Sequence, residues 1–254
     1  MLDVISFLTQ IPIRKEVKIE EVATRSYLFP FAALLIGLLV SVVAFVCFRF
    51  LATELASLFT LLTIYLITGL MHLDGLADFF DGIMATGSRS EKRKAMKDAK
   101  IGIAGLFAVI FVQLLSLFAI TIACAATFDF DLCTFYTFAS VFIIAEVSAK
   151  ISINTCLLLG KGFDVGEGMG ALFIRSSTGT KYILALLSSL FIALICTIFT
   201  DIFRFFIAFT GIVVAFCVVW MAKKKFGAVS GDVIGASNEL ARCVTLLIWA
   251  ILLS

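Results

Sequence analysis

Charge, proline and histidine are scarce in this chain, and the scarcities narrow what it can be. Charged residues fill 15% of its 254 positions, against about 25% in soluble domains. With 62% hydrophobic residues, a water-surrounded fold of this length cannot hide its apolar surface in one core, so lipid must solvate part of it. Two prolines and 27 phenylalanines suit helices in lipid. The seven cysteines lie scattered in or beside apolar runs, without a CxxC pair. They read as small core residues, not as disulfides or zinc ligands. Residues 1–24 open with Asp3 and lack a basic segment leading into a continuous apolar stretch, so no cleavable signal is expected and the first membrane helix directs insertion. The net charge of +2 argues neither for nor against nucleic acid, and no such partner is expected.

What is present is a series of apolar runs of membrane-spanning length. They lie near 28–48, 51–71, 103–125, 134–159, 182–200, 204–222 and 238–253. The fold expected is all-α, one integral membrane domain over 1–254 with about seven spans. The last run is the weakest, since Asn238, Glu239 and Arg242 occupy its first turns; it either spans or lies at the interface. Residues 2–13 are too short to span and reach Pro12, so 1–27 reads as an interfacial segment.

Seventeen of the 20 Lys and Arg residues, Arg14 and Lys15 among them, fall in the N-terminal segment and in 72–102, 160–181 and 223–242. Arg49 and Arg204 lie on the other side, and Lys150 lies within a span. By the positive-inside rule the N-terminus and three long loops (72–102, 160–181 and 223–240) face the cytoplasm, in a cell membrane. Fourteen of 17 glycines fall in 72–105, 160–181 and 223–240, where close approach to a ligand would use them.

The strongest chemical signal is GLMHLDGLADFFDGI at 69–83. Asp74, Asp78 and Asp81 stand at 0, +4 and +7, so a helix here projects all three carboxylates from one face. Interleaved with Leu73, Leu76, Phe79 and Phe80 at a membrane boundary, unpaired acids are costly, and a divalent cation is the natural reason for them. Oxygen ligands suit Mg²⁺ or Mn²⁺ completed by phosphate and water. His72, the only histidine, reads equally as base, ligand or backbone-bonded helix-end residue. The run 88–105 (SRSEKRKAMKDAKIGIAG) is basic, with Asp98 embedded; it anchors the loop and offers Lys and Arg to a polyanion. Asp232, after Ser230-Gly231 and opening a helix, suits a phosphate or metal contact. Segment 160–173 is no Walker A sequence; it reads as a ligand-covering loop with Asp164 and Glu167 as secondary candidates. Glu146 and Lys150, at i and i+4 inside a span, read best as an internal ion pair.

At these residues the chain resembles the cobalamin synthase family, the adenosylcobinamide-GDP ribazoletransferases. The marks appear in order: FLTQIPI at 7–13, the aspartate block at 69–83, MKDAKIGIAGLFAV at 96–109, GEGMGALF at 166–173 and SGDVIGASNEL at 230–240. One departure is the Phe79-Phe80 pair, where small or polar residues are expected. The resemblance implies Mg²⁺-dependent joining of adenosylcobinamide-GDP to α-ribazole or its 5′-phosphate, with loss of GMP, at the lipid bilayer. Metal is then expected at Asp74, Asp78, Asp81 and Asp232. Substrate contacts are expected at Arg89, Lys97, Asp98, Lys100, Gly102, Asp232 and Asn238, with an aspartate or His72 as base. A homo-oligomer stays open. Two rivals fit less well. A CDP-alcohol phosphatidyltransferase needs an arginine that DGLAD lacks, and a transporter should show mid-span charges and inverted repeats.

Overall fold

Helix α8, Leu132–Leu159, is mostly apolar and has no separate polar face, and such a helix must be wrapped by protein or by lipid. Here it is wrapped by protein, with α3 (Phe29–Phe50), α10 (Gly179–Thr197), α11 (Thr210–Lys225) and α12 (Gly231–Leu253) packed around it. The computed structural model describes residues 1–13, 16–125, 132–163, 167–199 and 201–253; Arg14, Lys15 and Asp164 lie outside the described residues. No strand occurs among the residues described. Among the described residues six helical stretches are long and apolar enough to cross a membrane: α3, α8, α10, α12, α7 (Ile103–Ala125), and Arg204–Lys225, which ends in α11. Phe107 and Phe111 on α7, Phe191 on α10 and Trp220 on α11 face outward, as lipid-contacting side chains do.

Small residues let the rods approach closely, the usual device where lipid removes the hydrophobic drive for helix pairing. A Cβ on Gly37 of α3 would lie 2.5 Å from the Ile143 Cα of α8, and one on Gly211 of α11 would overlap the Ser148 carbonyl.

The span expected near 51–71 ends early, at a sharp bend. Helix α4, Thr53–Thr68, stops at Gly69, and α5, Met71–Met84, leaves at 97° to it. Gly69 turns the chain at φ +73°, a backbone state that side chains disfavour. The stretch expected as the start of loop 72–102 is therefore helical and lies across the end of the bundle. The expected loop 223–240 is likewise short, because α12 begins at Gly231 and runs for 23 residues. Between α5 and α7 sits the basic helix α6, Arg89–Met96, capped reciprocally by Ser88 and Glu91. The N-terminal segment folds as α1 (Leu2–Leu8) and α2 (Ile19–Thr24), and the Gln10 N–H donates to the Ile67 carbonyl at 2.7 Å, pinning it to the end of α4. Helix α9, Met169–Ser176, covers the same end.

The polar residues that weakened the last span explain why it is central. Arg242 donates to Glu146 of α8 at 2.6 Å and to both oxygens of Glu239 at 2.8 and 2.7 Å. Lys150 lies 3.5 Å from Glu146 and donates to Asn238 at 2.8 Å. The Tyr65 hydroxyl donates to Glu239 at 2.7 Å and accepts from Gln113 of α7, also at 2.7 Å. The pair read from i and i+4 is thus half of a balanced set of two acids and two bases, all buried. It joins α4, α7, α8 and α12.

Truncating one member leaves a buried charge uncompensated, which costs about 3–5 kcal/mol. Arg242→Ala is therefore expected to lower the thermal unfolding midpoint sharply in purified protein, and Arg242→Lys to lower it less. An unchanged midpoint in Arg242→Ala would show that the network does not hold the bundle.

Candidate functional site

Helix α5 crosses α12 at glycines. A Cβ on Gly75 would meet the Asp232 backbone at 3.1 Å, and one on Gly235 would meet the His72 carbonyl at 3.2 Å. Each approach is tighter than nine in ten Cβ contacts, so a side chain at either residue would push the two helices apart by a few tenths of an ångström. Its effect is to set Asp74 and Asp78 of α5 beside Asp232 at the start of α12. Asp78 registers the crowding. Partial burial, then the charges of Asp232, Asp74 and Asp81, raise its pKa to about 7.

Asp81 has a different task. Its two oxygens accept the backbone N–H groups of Gly102 at 2.7 Å and Gly105 at 2.8 Å, at the N-terminus of α7. Carboxylates are favoured there by the exposed amides and the helix dipole. A Cβ on Gly102 or Gly105 would overlap that carboxylate. Gly102, expected at substrate, thus serves Asp81, and the glycine pair 102 and 105 makes room for its carboxylate.

Two chambers open at this crossing. The larger, about 320 Å³, is lined on its polar side by His72, Asp74, Lys97, Glu167, Ser230 and Asp232. The smaller, about 200 Å³, shares Lys97, Glu167, Ser230 and Asp232 and adds Arg93. His72 is buried, and desolvation, with Lys150 and Arg242 beneath it, holds its pKa well below the usual value, so the ring is neutral. Carboxylate oxygens alone form a hard donor set of the kind Mg²⁺ takes, and like charge at Asp78 gives a cation something to relieve. Among the described residues no three His, Cys, Asp or Glu side chains are grouped so as to enclose an ion. An ion here would draw its remaining ligands from water or from phosphate oxygens.

A family profile described as cobalamin-5-phosphate synthase matches residues 1–250. The chain belongs to this family. Similar proteins named adenosylcobinamide-GDP ribazoletransferase include that of Pyrococcus abyssi, 33% identical over 98% of this chain and 96% of its own length. That of Thermococcus kodakarensis is 32% identical over 99% and 98%, and that of Methanococcoides burtonii 31% over 95% and 88%. No solved structure matches the chain. The protein is therefore an enzyme of late cobalamin synthesis.

In this family member the expected site residues separate into groups. Asp74, His72, Lys97 and Asp232 line the larger chamber, and Asp78 lies among the acids beside it. Asp98 accepts the Lys100 backbone N–H at 3.0 Å in an exposed turn; Lys100 lines neither chamber. Arg89 packs over Gly227, its guanidinium 3.2 Å from where a Cβ would sit. Asn238, expected at substrate, is instead fully buried between Lys150 and Glu239, because it lies nearly two turns deeper along α12 than Asp232. Sequence reasoning passed over Arg93 as one of many basic residues. It also gave no role to Phe7 or Phe173, although both stand in the FLTQIPI and GMGALF segments.

The division between Asp81 and Asp74 can be measured. Asp81→Ala strands two buried-side amides and is expected to cost about 1–3 kcal/mol of stability. Asp74→Ala, exposed in the chamber, is expected to change stability by about 0.5 kcal/mol or less and to abolish turnover. Equal destabilisation by the two would contradict these separate roles.

Proposed function

We propose that the enzyme condenses adenosylcobinamide-GDP with α-ribazole, or α-ribazole 5′-phosphate, and releases GMP, in a Mg²⁺-dependent reaction on the cytoplasmic face of the cell membrane. The observation that carries this reading is the meeting of Asp74 and Asp232 with Lys97 at one chamber, with Asp78 crowded against those acids. Acids that repel one another beside a cation form a receptacle for a diphosphate and its counter-ion. The relatives' name supplies the substrates.

A ribose hydroxyl oxygen of the acceptor bonds to the phosphorus nearer the cobinamide. The bridging P–O bond breaks, and its electron pair leaves on the phosphate of GMP. Lys97 holds a non-bridging phosphate oxygen, and Arg93 in the adjoining chamber holds the outer phosphate. Neutral His72, walled into the larger chamber, accepts a hydrogen bond from the hydroxyl, and the Asp74 carboxylate in the same chamber takes the proton. Mg²⁺ bound by Asp74, Asp78 and Asp232 would neutralise the diphosphate and the charge that develops on the leaving group. The basic helix α6 and the site lie at the same end of the bundle, so the positive-inside rule sets that end toward the cytoplasm. Reporters at Ser88 and at Ala52, between α3 and α4, are expected on opposite faces of the membrane; an outward Ser88 would reverse the orientation.

The reaction is tested by incubating purified protein with adenosylcobinamide-GDP, α-ribazole and Mg²⁺, and measuring GMP. CDP-diacylglycerol serves as the control donor, and release of CMP instead would sink the reading. The sign of the pH dependence follows from Asp78. Below about pH 7 its carboxyl carries a proton that a metal must displace. The Mg²⁺ concentration for half-maximal rate is therefore expected to rise as pH falls, by up to about tenfold per unit, and to flatten above pH 8. A Mg²⁺ requirement independent of pH between 5.5 and 8 would exclude Asp78 as a ligand.

A further inference from the structure

The four residues common to the two chambers, Lys97, Glu167, Ser230 and Asp232, are all polar. They mark the side on which the larger chamber opens to the smaller one. The rest of the larger chamber changes character. Phe7 of α1, Phe29 of α3, Leu157 of α8, and Met169 and Phe173 of α9 form an apolar wall. Phe173 stacks on Phe7 with centroids 5.2 Å apart and planes at 26°, and tilts against Phe29 at 6.0 Å. None of the phosphate chemistry uses this wall, and a diphosphate gains nothing by entering it, since charge against phenylalanine loses its water without replacement.

We propose that this aromatic wall seats the flat base of the nucleoside acceptor, with the ribose turned toward His72 and Asp74. The corrinoid donor keeps its macrocycle outside and brings its diphosphate in past Lys97 and Arg93. The proposal rests on the acceptor being α-ribazole, whose base is a fused aromatic bicycle. Size agrees with it: about 320 Å³ lies at the lower end of small-ligand pockets, roughly 300–1,000 Å³. That holds a nucleoside, whereas a corrin ring with its amide arms is several times larger than either chamber. Polarity agrees as well, because a nucleoside has one apolar and one hydroxylated end, and the chamber presents one apolar and one charged side. The wall comes from four separate elements, which gives the N-terminal helix a part in choosing the acceptor.

Two substitutions test this in the full chain reconstituted in liposomes. Phe7→Ala removes part of the wall, and Met169→Trp fills the space in front of it without opening a cavity. Binding of α-ribazole is measured by equilibrium dialysis without donor, with the free benzimidazole base as competitor, and KM is measured for each substrate. Both variants are expected to weaken α-ribazole about tenfold or more, in line with loss of a base-stacking surface. The KM for adenosylcobinamide-GDP should stay within about twofold, and the free base should compete. Wild-type affinity for α-ribazole in both variants, or a rise in the donor's KM instead, would overturn the proposal. A wall that holds lipid acyl chains would give the first of these results. Wild-type protein that binds α-ribazole through this wall yet releases no GMP would remove the proposed reaction and leave the subsite standing.

Discussion

Everything at the site depends on two helices being allowed to touch. Helix α5 lies across the end of α12 because Gly75 and Gly235 have no side chains to hold them apart. That contact brings acids from distant parts of the chain, Asp74 and Asp78 on one side and Asp232 on the other, into mutual repulsion. The bundle tolerates the repulsion because α12 is fastened elsewhere. Arg242, Glu239 and Asn238 tie it to α8 and α4 deep in the bundle, and Asp81 ties α5 to the amides at the head of α7. The site carries the strain, and two separate anchors resist it.

Buried ions inside a bundle of this kind need an explanation, since lipid and protein interiors both penalise them. Here the two acids and two bases cancel, and most of their polar atoms have a hydrogen-bond partner, Glu146 Oε2 and Arg242 Nη2 being the exceptions. The same set lies under His72, where its cations Lys150 and Arg242 help hold the imidazole neutral. The network therefore positions the catalytic helix and also keeps the one histidine in its neutral form.

A good part of this was legible in the chain. Apolar runs of the right length located most spans to within a few residues, although the last, expected from 238, starts at Gly231. Acids at 0, +4 and +7 predicted a helix with one charged face, and α5 is that helix. The division of labour on that face was not legible. Nothing local distinguishes Asp81 from Asp74; only the arrival of the Gly102 and Gly105 amides, more than 20 residues on, commits Asp81 to the fold. Asn238 shows the reverse error. A polar residue near a motif looks like a ligand contact until helix geometry turns it inward to Lys150.

By itself the sequence determined that the chain is a helical membrane protein, which family it joins, and which short block concentrates its acids, because composition, run length and motif spacing are properties of the chain in order. Only the tertiary structure decided that α5 turns away from α4, that Asp232 completes the acidic group, and that Phe7 and Phe173 share one wall. Those facts are contacts between residues far apart along the chain. They arise from where glycine lets helices approach and where buried charge must find its partner.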